Sequence, residues 1–407
     1  MKKCFVCILI FCLLVQLAGC SLIPASSQET TTPPETTLPT AAPTEESTQP
    51  EPSAEGSDVT VQLPLASVAL PVITEPATAA DGTVIFNYTY QNIALIAPDP
   101  AVADLVIIDF LTRMDATRDT ASDIHALAES AYNGSENWSP YLCMVSYEPK
   151  RIDAGILSLL GAQASYYGTR HPETVYTAVS YDLITGEILK LNDILAPDGS
   201  VDTLLQGVLE ALSARQQELY LFGDYEDTVR QLFAGSSIQS TWYFSNTGLC
   251  FYFAPTEIAP YTSGVVAAEI PYDQLAGVID DAFFPAERDT AAGTVEVQLF
   301  TQADLESYSR FSEVVLDAEG DKILLHADKP VHNIRIETGS WSSTGAFYTP
   351  QHTVFAASGL STGDAIMVQA LLSESTPALR LSYDTSEETV QVFIAKSSDG
   401  MIILTQE

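Results

Sequence analysis

The sequence has few positively charged residues. Among its 407 residues, 17 are Lys or Arg and 53 are Asp or Glu, so the formal net charge is −36 at pH 7. A field of this sign argues against nucleic acid as a partner and against adsorption to anionic lipid. It favours a cationic partner and speeds the approach of one. The simpler alternative is that the charge only keeps an exported protein soluble, and composition does not separate the two.

Cysteine is also scarce. Four of the six cysteines lie within the first 20 residues, namely Cys4, Cys7, Cys12 and Cys20. The other two, Cys143 and Cys250, lie in apolar, strand-like contexts. They leave two alternatives open, which are a disulfide between them or two buried thiols that fill core positions. Neither has the sequence spacing of a metal site.

Recognisable catalytic and metal-binding motifs are missing. No two of the five histidines have the spacing of a zinc helix motif, and no Gly-x-Ser-x-Gly elbow, phosphate-cradling loop or calcium loop occurs. Asp280 and Asp281 are paired acids of the kind that most often end a helix in solvent. His171 has no partner nearby in the sequence that would make it a catalytic base. We therefore predict a protein that is not an enzyme and that needs no metal and no cofactor.

A hydrophobic run occupies the N-terminus. Met1-Lys2-Lys3 is followed by an apolar stretch at residues 4–17 and by the small residues Ala18 and Gly19. A positive start, a short apolar stretch and small residues before a cleavage point are typical of a secretory signal peptide, here residues 1–19. The run is too short to span a bilayer as a lasting anchor.

The motif Leu17-Ala18-Gly19-Cys20 resembles a bacterial lipobox, which implies cleavage before Cys20 and lipidation of its sulfur. The alternative is a coincidental cysteine in an ordinary signal peptide. Because two acyl chains hold a protein durably on a membrane, we predict an exported protein anchored by lipid to the outer face of the bacterial cell membrane. Loss of Lys2 and Lys3 leaves 15 basic residues against 53 acidic ones, which is a net charge of −38.

Residues 20–58 form a predicted spacer. After Cys20 this segment is rich in Thr, Pro, Glu, Ser and Ala, and it holds no aromatic residue, no Lys and no Arg. It does not carry enough apolar surface to offset its ordering entropy, so we predict that it is disordered. As a flexible coil it would reach about 35 Å, and further where its prolines extend it.

The next two parts of the chain combine strands and helices. Residues 59–165 show a strand, apolar residues at helical spacing over 101–114 and again over 121–131, and returning strands. Residues 166–285 show a strand, two helices, a hairpin at 242–253 and a third strand before Pro271, after which we predict a last helix. Asp198 or Ser200 can cap the first of these helices, and Asp224 the second. An antiparallel sheet with helices on one face buries all the apolar stripes, which indicates an α+β fold.

The C-terminal part has a different pattern. From residue 293 to residue 407, short strand-like runs alternate with turn residues such as Gly320 and Gly363. This pattern predicts an all-β, sandwich-like domain. The predicted join to the preceding part is at residues 285–289.

Residues 166–285 resemble the extracellular domain DUF3298. The resemblance rests on the loop Tyr166-Tyr167-Gly168-Thr169-Arg170-His171-Pro172-Glu173, on the alternating run that follows it, on the hairpin, and on the loop Glu257-Ile258-Ala259-Pro260-Tyr261-Thr262-Ser263-Gly264. Residues 59–165 resemble DUF4163 more loosely. Both domains occur in bacterial envelope proteins, among them lysozyme-sensing anti-sigma factors and some peptidoglycan deacetylases. The metal motif of the deacetylases contains a Thr-Phe-Asp-Asp-Gly-Pro run, which this sequence lacks.

The resemblance implies that loops of the DUF3298-like domain enter the cleft of a protein partner. The partner-binding candidates are Arg170, His171, Pro172, Pro260 and Tyr261. In the lysozyme-sensing relatives the partner is strongly cationic, which suits a chain of this charge. The alternative partner is peptidoglycan or another glycan, which clustered exposed aromatic residues would favour. The three tryptophans are scattered along the sequence, at Trp138, Trp242 and Trp341.

Overall fold

A computed structural model describes residues 66–169, 171–286, 293–308, 310–341, 348–372, 379–386, 388–397, 400 and 402–406. The predicted signal peptide, Cys20, the spacer and Arg170 lie outside the described residues. So does most of the predicted join at residues 285–289.

The described chain begins with a sheet and a long helix. The elements are β1 Ser67–Ala69, β2 Val72–Thr78, β3 Val84–Gln91, β4 Ala94–Ile96, α1 Pro100–Ala131, β5 Tyr141–Ile152, β6 Ile156–Tyr166 and β7 Glu173–Asp182. Five of the strands form a sheet in the order β2-β3-β5-β6-β7. Neighbours in this sheet are antiparallel except for β3 and β5, which the crossover through α1 makes parallel.

Helix α1 packs on this sheet and is continuous over 32 residues. It begins where the Asp99 side chain accepts a hydrogen bond from the Ala101 backbone N–H at 2.8 Å, with Pro100 in the first turn. Phe110 and Met114 are buried in the common core. The sequence pattern predicted two helical segments here. The structure joins them because residues 115–120 contain neither Gly nor Pro, so nothing in that stretch interrupts the helix.

The middle of the chain packs short helices on a second sheet. Its elements are α2 Val201–Ala214, α3 Gln216–Leu219, α4 Tyr225–Ala234, β8 Trp242–Phe244, β9 Gly248–Phe253 and β10 Val266–Pro271. The sheet has the order β10-β9-β8. Ser200 caps α2, since its hydroxyl accepts a hydrogen bond from the Thr203 N–H at 3.1 Å. Asp224 occupies the capping position of α4 without a capping side-chain hydrogen bond.

The predicted helix after Pro271 is wrong. In its place a single 3-10 turn, Tyr272–Gln274, is followed by Gly277 in the left-handed region at φ 74°. The chain then turns back, and the Ala196 N–H donates to the Val278 carbonyl at 3.0 Å. Leu275 and Ile279, expected on an apolar helix face, are nevertheless buried in the core of this part. The burial of these residues was therefore predicted correctly. The helix was not, because the left-handed turn at Gly277 interrupts the chain where a helix was expected.

The C-terminal part is formed by strands. They are β11 Val295–Leu299, β12 Arg310–Val315, β13 Asp321–Ala327, β14 Val331–Trp341, β15 Tyr348–Leu360, β16 Asp364–Ala370, β17 Leu379–Asp384, β18 Thr389–Lys396 and β19 Ile402–Gln406. One sheet has the order β11-β13-β16-β12, and the other has the order β19-β18-β17-β14-β15-β1-β4. Residues of both sheets, such as Ile323 and Ile336, are buried in one core cluster. The predicted α+β fold with a β-rich C-terminal part is confirmed.

Two sheets cross the boundaries that the sequence pattern placed between the parts of the chain. Strand β7 follows the boundary at residue 166, yet it pairs with β6 from Ile156↔Asp182 to Ser165↔Glu173. Strand β1 comes from the first part, yet it pairs with β15 of the last part through Ser67↔Ala357. The prediction missed these pairings because an alternating pattern identifies a strand and its buried face without identifying its neighbour.

Arg151 connects the five-stranded sheet to the middle part of the chain. Its side chain is only 3 % exposed, and its guanidinium donates hydrogen bonds of 2.6 Å to the Asp153 carboxylate, the Tyr272 hydroxyl and the Phe283 carbonyl. It also lies 5.4 Å from the ring centroid of Phe244. A buried cation is tolerated when its donors are satisfied in this way. Arg151 therefore holds strand β5 against the segments that surround the second sheet.

Replacing Arg151 with Met should lower the free energy of unfolding by about 3 kcal/mol, because the Asp153 carboxylate and the Tyr272 hydroxyl lose a buried partner. Chemical denaturation measures the difference. The control is Arg215→Met, which removes a more exposed arginine (46 % exposed side chain) that is bonded to Glu218. This second change should have a marginal effect, since exposed ion pairs contribute little. Equal losses in the two variants would contradict the role given to Arg151.

Candidate functional site

The loop that carries Tyr261 is anchored by buried residues. Ile258 and Ala259 are 0 % and 2 % exposed and pack in the core beneath α2 and α4. The Phe222 N–H donates to the Ile258 carbonyl at 2.9 Å, and the Ser263 hydroxyl donates to the Leu219 carbonyl at 3.1 Å. Between these two attachments the chain forms the 3-10 turn Tyr261–Ser263, which Pro260 precedes. The backbone of this loop is therefore well supported, whereas the Tyr261 side chain is 56 % exposed.

The loop before β7 meets Tyr261. His171 and Pro172 are exposed, and the ring centroids of His171 and Tyr261 are 5.9 Å apart with an interplanar angle of 38°. The Thr169 hydroxyl donates to the His171 carbonyl at 2.8 Å, which shapes the turn. Two loops that were selected separately in the sequence, about 90 residues apart, are thus adjacent. Of the five predicted partner-binding residues, four lie together here, and Arg170 lies outside the described residues.

A third loop, between α3 and α4, adds two aromatic residues that the sequence analysis missed. Tyr220 is 75 % exposed and Phe222 is 37 % exposed. The contacts of Leu219 with Ser263 and of Phe222 with Ile258 place this loop beside the Tyr261 loop. The signal that would have found them is a pair of aromatic residues in a short connection between two helices. We name the three loops together the aromatic loop surface, which comprises His171, Pro172, Tyr220, Phe222, Pro260 and Tyr261.

Tyr220 has an unusual backbone conformation. It ends α3 in the left-handed region at φ 54° and ψ 42°, where glycine is the favoured residue. A bulky residue in this region has a cost of about 1 kcal/mol relative to glycine. Because an exposed tyrosine at such a position lowers stability, its side chain is a candidate for a role in binding.

The surroundings of the aromatic loop surface are acidic. Residues 216–227 contain no Lys or Arg and four acidic residues, which are Glu218, Asp224, Glu226 and Asp227. On the Tyr261 loop, the Glu257 carboxylate accepts a hydrogen bond from the Ala254 N–H at 2.8 Å. Burial raises the pKa of Tyr176 on β7, and the nearby Tyr261 hydroxyl raises it further. Arg215 and Arg230, which flank this stretch, pair with Glu218 at 2.9 Å and with Glu226 at 3.7 Å. The surface therefore combines exposed aromatic rings with neighbouring carboxylates, two of which are ion-paired.

Cys143 and Cys250 are separate, buried thiols. Cys143 lies on β5 in the core beneath α1, and Cys250 lies on β9, where its thiol donates to the Glu269 carboxylate at 3.3 Å. Burial raises the pKa of Cys143 to about 11. Burial and the Glu269 carboxylate raise the pKa of Cys250 to about 12. Of the two alternatives, the structure thus has the pair of core thiols.

The remaining candidates for chemistry have structural roles. The Asp280 carboxylate caps the 3-10 turn Asp281–Phe283 by accepting the Ala282 N–H at 2.9 Å. Within the described residues, His, Cys, Asp and Glu form no group of three or more that is arranged to hold a metal ion. None of the helices in the described ranges combines the length and the apolar character needed to cross a bilayer.

The architecture that carries the aromatic loop surface is an α+β domain attached to a β-sandwich-like part. Residues 192–273 match the family described as "Protein of unknown function (DUF3298)". The match includes α2 to α4, the three strands β8 to β10 and the loops of Tyr220 and Tyr261. It begins after β7, in keeping with the pairing of β7 in the preceding sheet. The resemblance of residues 59–165 to DUF4163 stays a prediction.

Two solved structures of DUF3298 family proteins are similar to this chain. The protein from Bacteroides fragilis NCTC 9343 is 17% identical, with a TM-score of 0.39, and the match covers 53% of this chain and 94% of that one. The protein from Pseudomonas aeruginosa PAO1 is 17% identical, with a TM-score of 0.38, and the match covers 55% of this chain and 98% of that one. No curated protein matches the chain.

The strain at Tyr220 is testable by comparing two substitutions. Tyr220→Gly should be more stable than Tyr220→Ala by about 1 kcal/mol, because both remove the ring and only glycine removes the left-handed strain. Chemical denaturation of the two variants measures this difference. Equal stability would show that the position carries no strain.

The two thiols should be unreactive in the folded protein. Their raised pKa values keep them protonated at mildly alkaline pH, and the thiolate is the reactive form. Titration with a chromogenic disulfide reagent should detect neither thiol under native conditions and both after denaturation without reductant. Failure to detect them in the denatured chain would indicate the disulfide instead.

Proposed function

We propose that this chain is a lipid-anchored extracellular binding protein that captures a cationic cell-wall hydrolase of lysozyme type through the aromatic loop surface. The observation that carries the proposal is the contact between His171 and Tyr261 on two loops that the resemblance to DUF3298 had selected separately. In this proposal the chain binds its partner and has no catalytic activity of its own.

Exposed aromatic residues on a supported backbone suit such a role. Tyr offers a large amphipathic contact area with little side-chain entropy to lose, and it is enriched among the residues that dominate binding energy. The buried Ile258 and Ala259 hold the Tyr261 loop in place before any partner arrives. A preorganised loop loses less conformational freedom on binding than a mobile one. These features support insertion of the loops into a cleft of the partner.

The charge of the chain supports a cationic partner. The mature protein is expected to carry a net charge of −38, and the carboxylates of residues 216–227 lie next to the loops. A negative field of this size accelerates encounter with a positively charged protein, mostly at low salt. Contacts of the loops with the partner then determine how slowly the complex dissociates. Charge thus supports the choice of partner, and the aromatic residues supply the specific contact.

The predicted anchor places this surface where a cell-wall hydrolase acts. Lipidation at Cys20 would retain the protein on the membrane, and the spacer to residue 58 would allow a reach of about 35 Å. Loops inserted into the cleft of the partner would block the access of cell-wall substrate to that cleft. Capture or inhibition is therefore the expected outcome of binding.

A glycan partner is the alternative, and the tryptophans offer it little support. Trp242 is 2 % exposed, and Trp138 packs between Tyr132 and Tyr141. The side chain of Trp341 lies outside the described residues. In the described part of the chain, the large exposed rings that could stack on a sugar belong to the aromatic loop surface, so the same variants test both partners.

Residues 59–407 should bind hen-type lysozyme at physiological ionic strength, and Tyr261→Ala should weaken that binding by about 2 kcal/mol, or roughly thirtyfold. Leu371→Ala is the control, since Leu371 is 65 % exposed and follows a strand of another sheet. Calorimetry or surface plasmon resonance at low and physiological salt measures the affinities.

Binding that is lost at physiological salt and is insensitive to Tyr261→Ala would indicate charge attraction alone and would reject the lysozyme proposal. Binding of chitin oligosaccharides that depends on Tyr261, in the absence of lysozyme binding, would favour the glycan alternative.

A further inference from the structure

A cleft lies between α1, β7 and the second sheet, apart from the aromatic loop surface. Its volume is about 380 Å³, and its walls include Val179, Ile188 and Trp242. Sites for small organic ligands begin at about this volume and are lined mainly by apolar side chains with a few polar groups. None of the residues of the aromatic loop surface lines this cleft.

Two cations line this cleft in a protein that has few. Arg113 of α1 and Lys190 are both among the lining residues, and none of the lining residues is acidic. The whole chain has 17 Lys and Arg residues against 53 Asp and Glu residues, so two cationic side chains on one cleft are unusual for this composition. Both can donate hydrogen bonds to an anion in the cleft.

The guanidinium of Arg113 is held in place by hydrogen bonds that use only some of its N–H donors. Its Nε donates to the Asp109 carboxylate at 2.6 Å, and the Tyr181 hydroxyl donates to the same carboxylate oxygen at 2.8 Å. Beyond Asp109 and Tyr181, no residue in the described ranges is bonded to this guanidinium. An arginine has five N–H donors in a planar fork, so part of the fork stays unpaired. Its side chain is 37% exposed and lines the cleft.

Lys190 supplies the second charge. The residue is exposed, and its ammonium group forms no ion pair with the part of the chain that the structure describes. Its backbone is fixed, because its N–H donates to the Asp193 carboxylate at 3.0 Å. Arg113 and Lys190 together carry two positive charges, and the carboxylates of Asp109 and Asp193 lie beside them. The two side chains therefore offer N–H donors to an anion, although the local charges sum to about zero.

We infer that this cleft binds a small organic carboxylate with an apolar or aromatic body. The carboxylate would accept hydrogen bonds from the free part of the Arg113 fork, which matches carboxylate geometry, and from the Lys190 ammonium. The body would pack against the exposed side of Ile188, where burial of apolar surface supplies the rest of the affinity. This site is independent of lysozyme capture and does not use the residues of the aromatic loop surface.

Phenylacetate, phenylacetamide and acetate are suitable probes for the purified full chain. Phenylacetate should bind with a dissociation constant below about 1 mM, as measured by calorimetry and by the change in tryptophan fluorescence. Phenylacetamide lacks the charge and acetate lacks the ring, so each should bind at least about tenfold more weakly. Equal binding of phenylacetate and its amide, or no saturable binding of phenylacetate, would overturn the inference.

Lys190→Gln tests the site in the protein itself. It should weaken phenylacetate binding at least about tenfold and leave the unfolding midpoint unchanged, because the side chain is exposed. Lys322→Gln is the matched control, since Lys322 is an exposed lysine on the four-stranded sheet, and it should leave binding unchanged. Equal effects of the two changes would mean that net charge alone attracts the probe, which would reject the site. Binding of lysozyme should not depend on Lys190.

Discussion

The buried guanidinium of Arg151 is the interaction on which the arrangement of the first two sheets depends. It lies between strand β5 and the segments around the second sheet, and two of its three partners, Tyr272 and Phe283, are distant from it in sequence. A buried cation has a large desolvation cost, which only this set of acceptors offsets. The contact therefore specifies one docking geometry. Hydrophobic packing alone would allow neighbouring geometries at similar free energy.

The binding surface depends on that docking. His171 precedes a strand of the first sheet, whereas Tyr220, Phe222 and Tyr261 are carried by loops packed on the second. Their juxtaposition requires the two sheets to keep a fixed relation, which Arg151 provides directly. The Ser158 hydroxyl also accepts the Phe244 N–H at 3.0 Å and so links the same two sheets. Rings placed in this way form a single surface although they come from separate supersecondary units.

Local features were predicted from the sequence, and long-range ones were not. Periodicity identified α1, α2 and α4 and the buried residues on each. The spacing of apolar residues shows which face of a single helix is buried. The loops of His171 and Tyr261 were selected by resemblance, while their contact, and the addition of Tyr220 and Phe222, depend on tertiary packing. The sheet partners of β1 and β7 had no sequence signal either. The prediction of a helix after Pro271 was wrong because Gly277 favours a left-handed turn. Apolar periodicity takes no account of such a residue.

The pairing of β1 with β15 has a consequence for how the chain folds. Ser67 and Ala357 are neighbours in a sheet although almost the whole folded chain lies between them in sequence. Such contacts form late. The chain must lose the entropy of closing a long loop before the hydrogen bonds between β1 and β15 can offset that loss. The seven-stranded sheet therefore stays incomplete until the last third of the polypeptide is present. The parts of the chain that precede it would meanwhile expose the edges of β1 and β4, which are sites of intermolecular pairing in a nascent or truncated molecule.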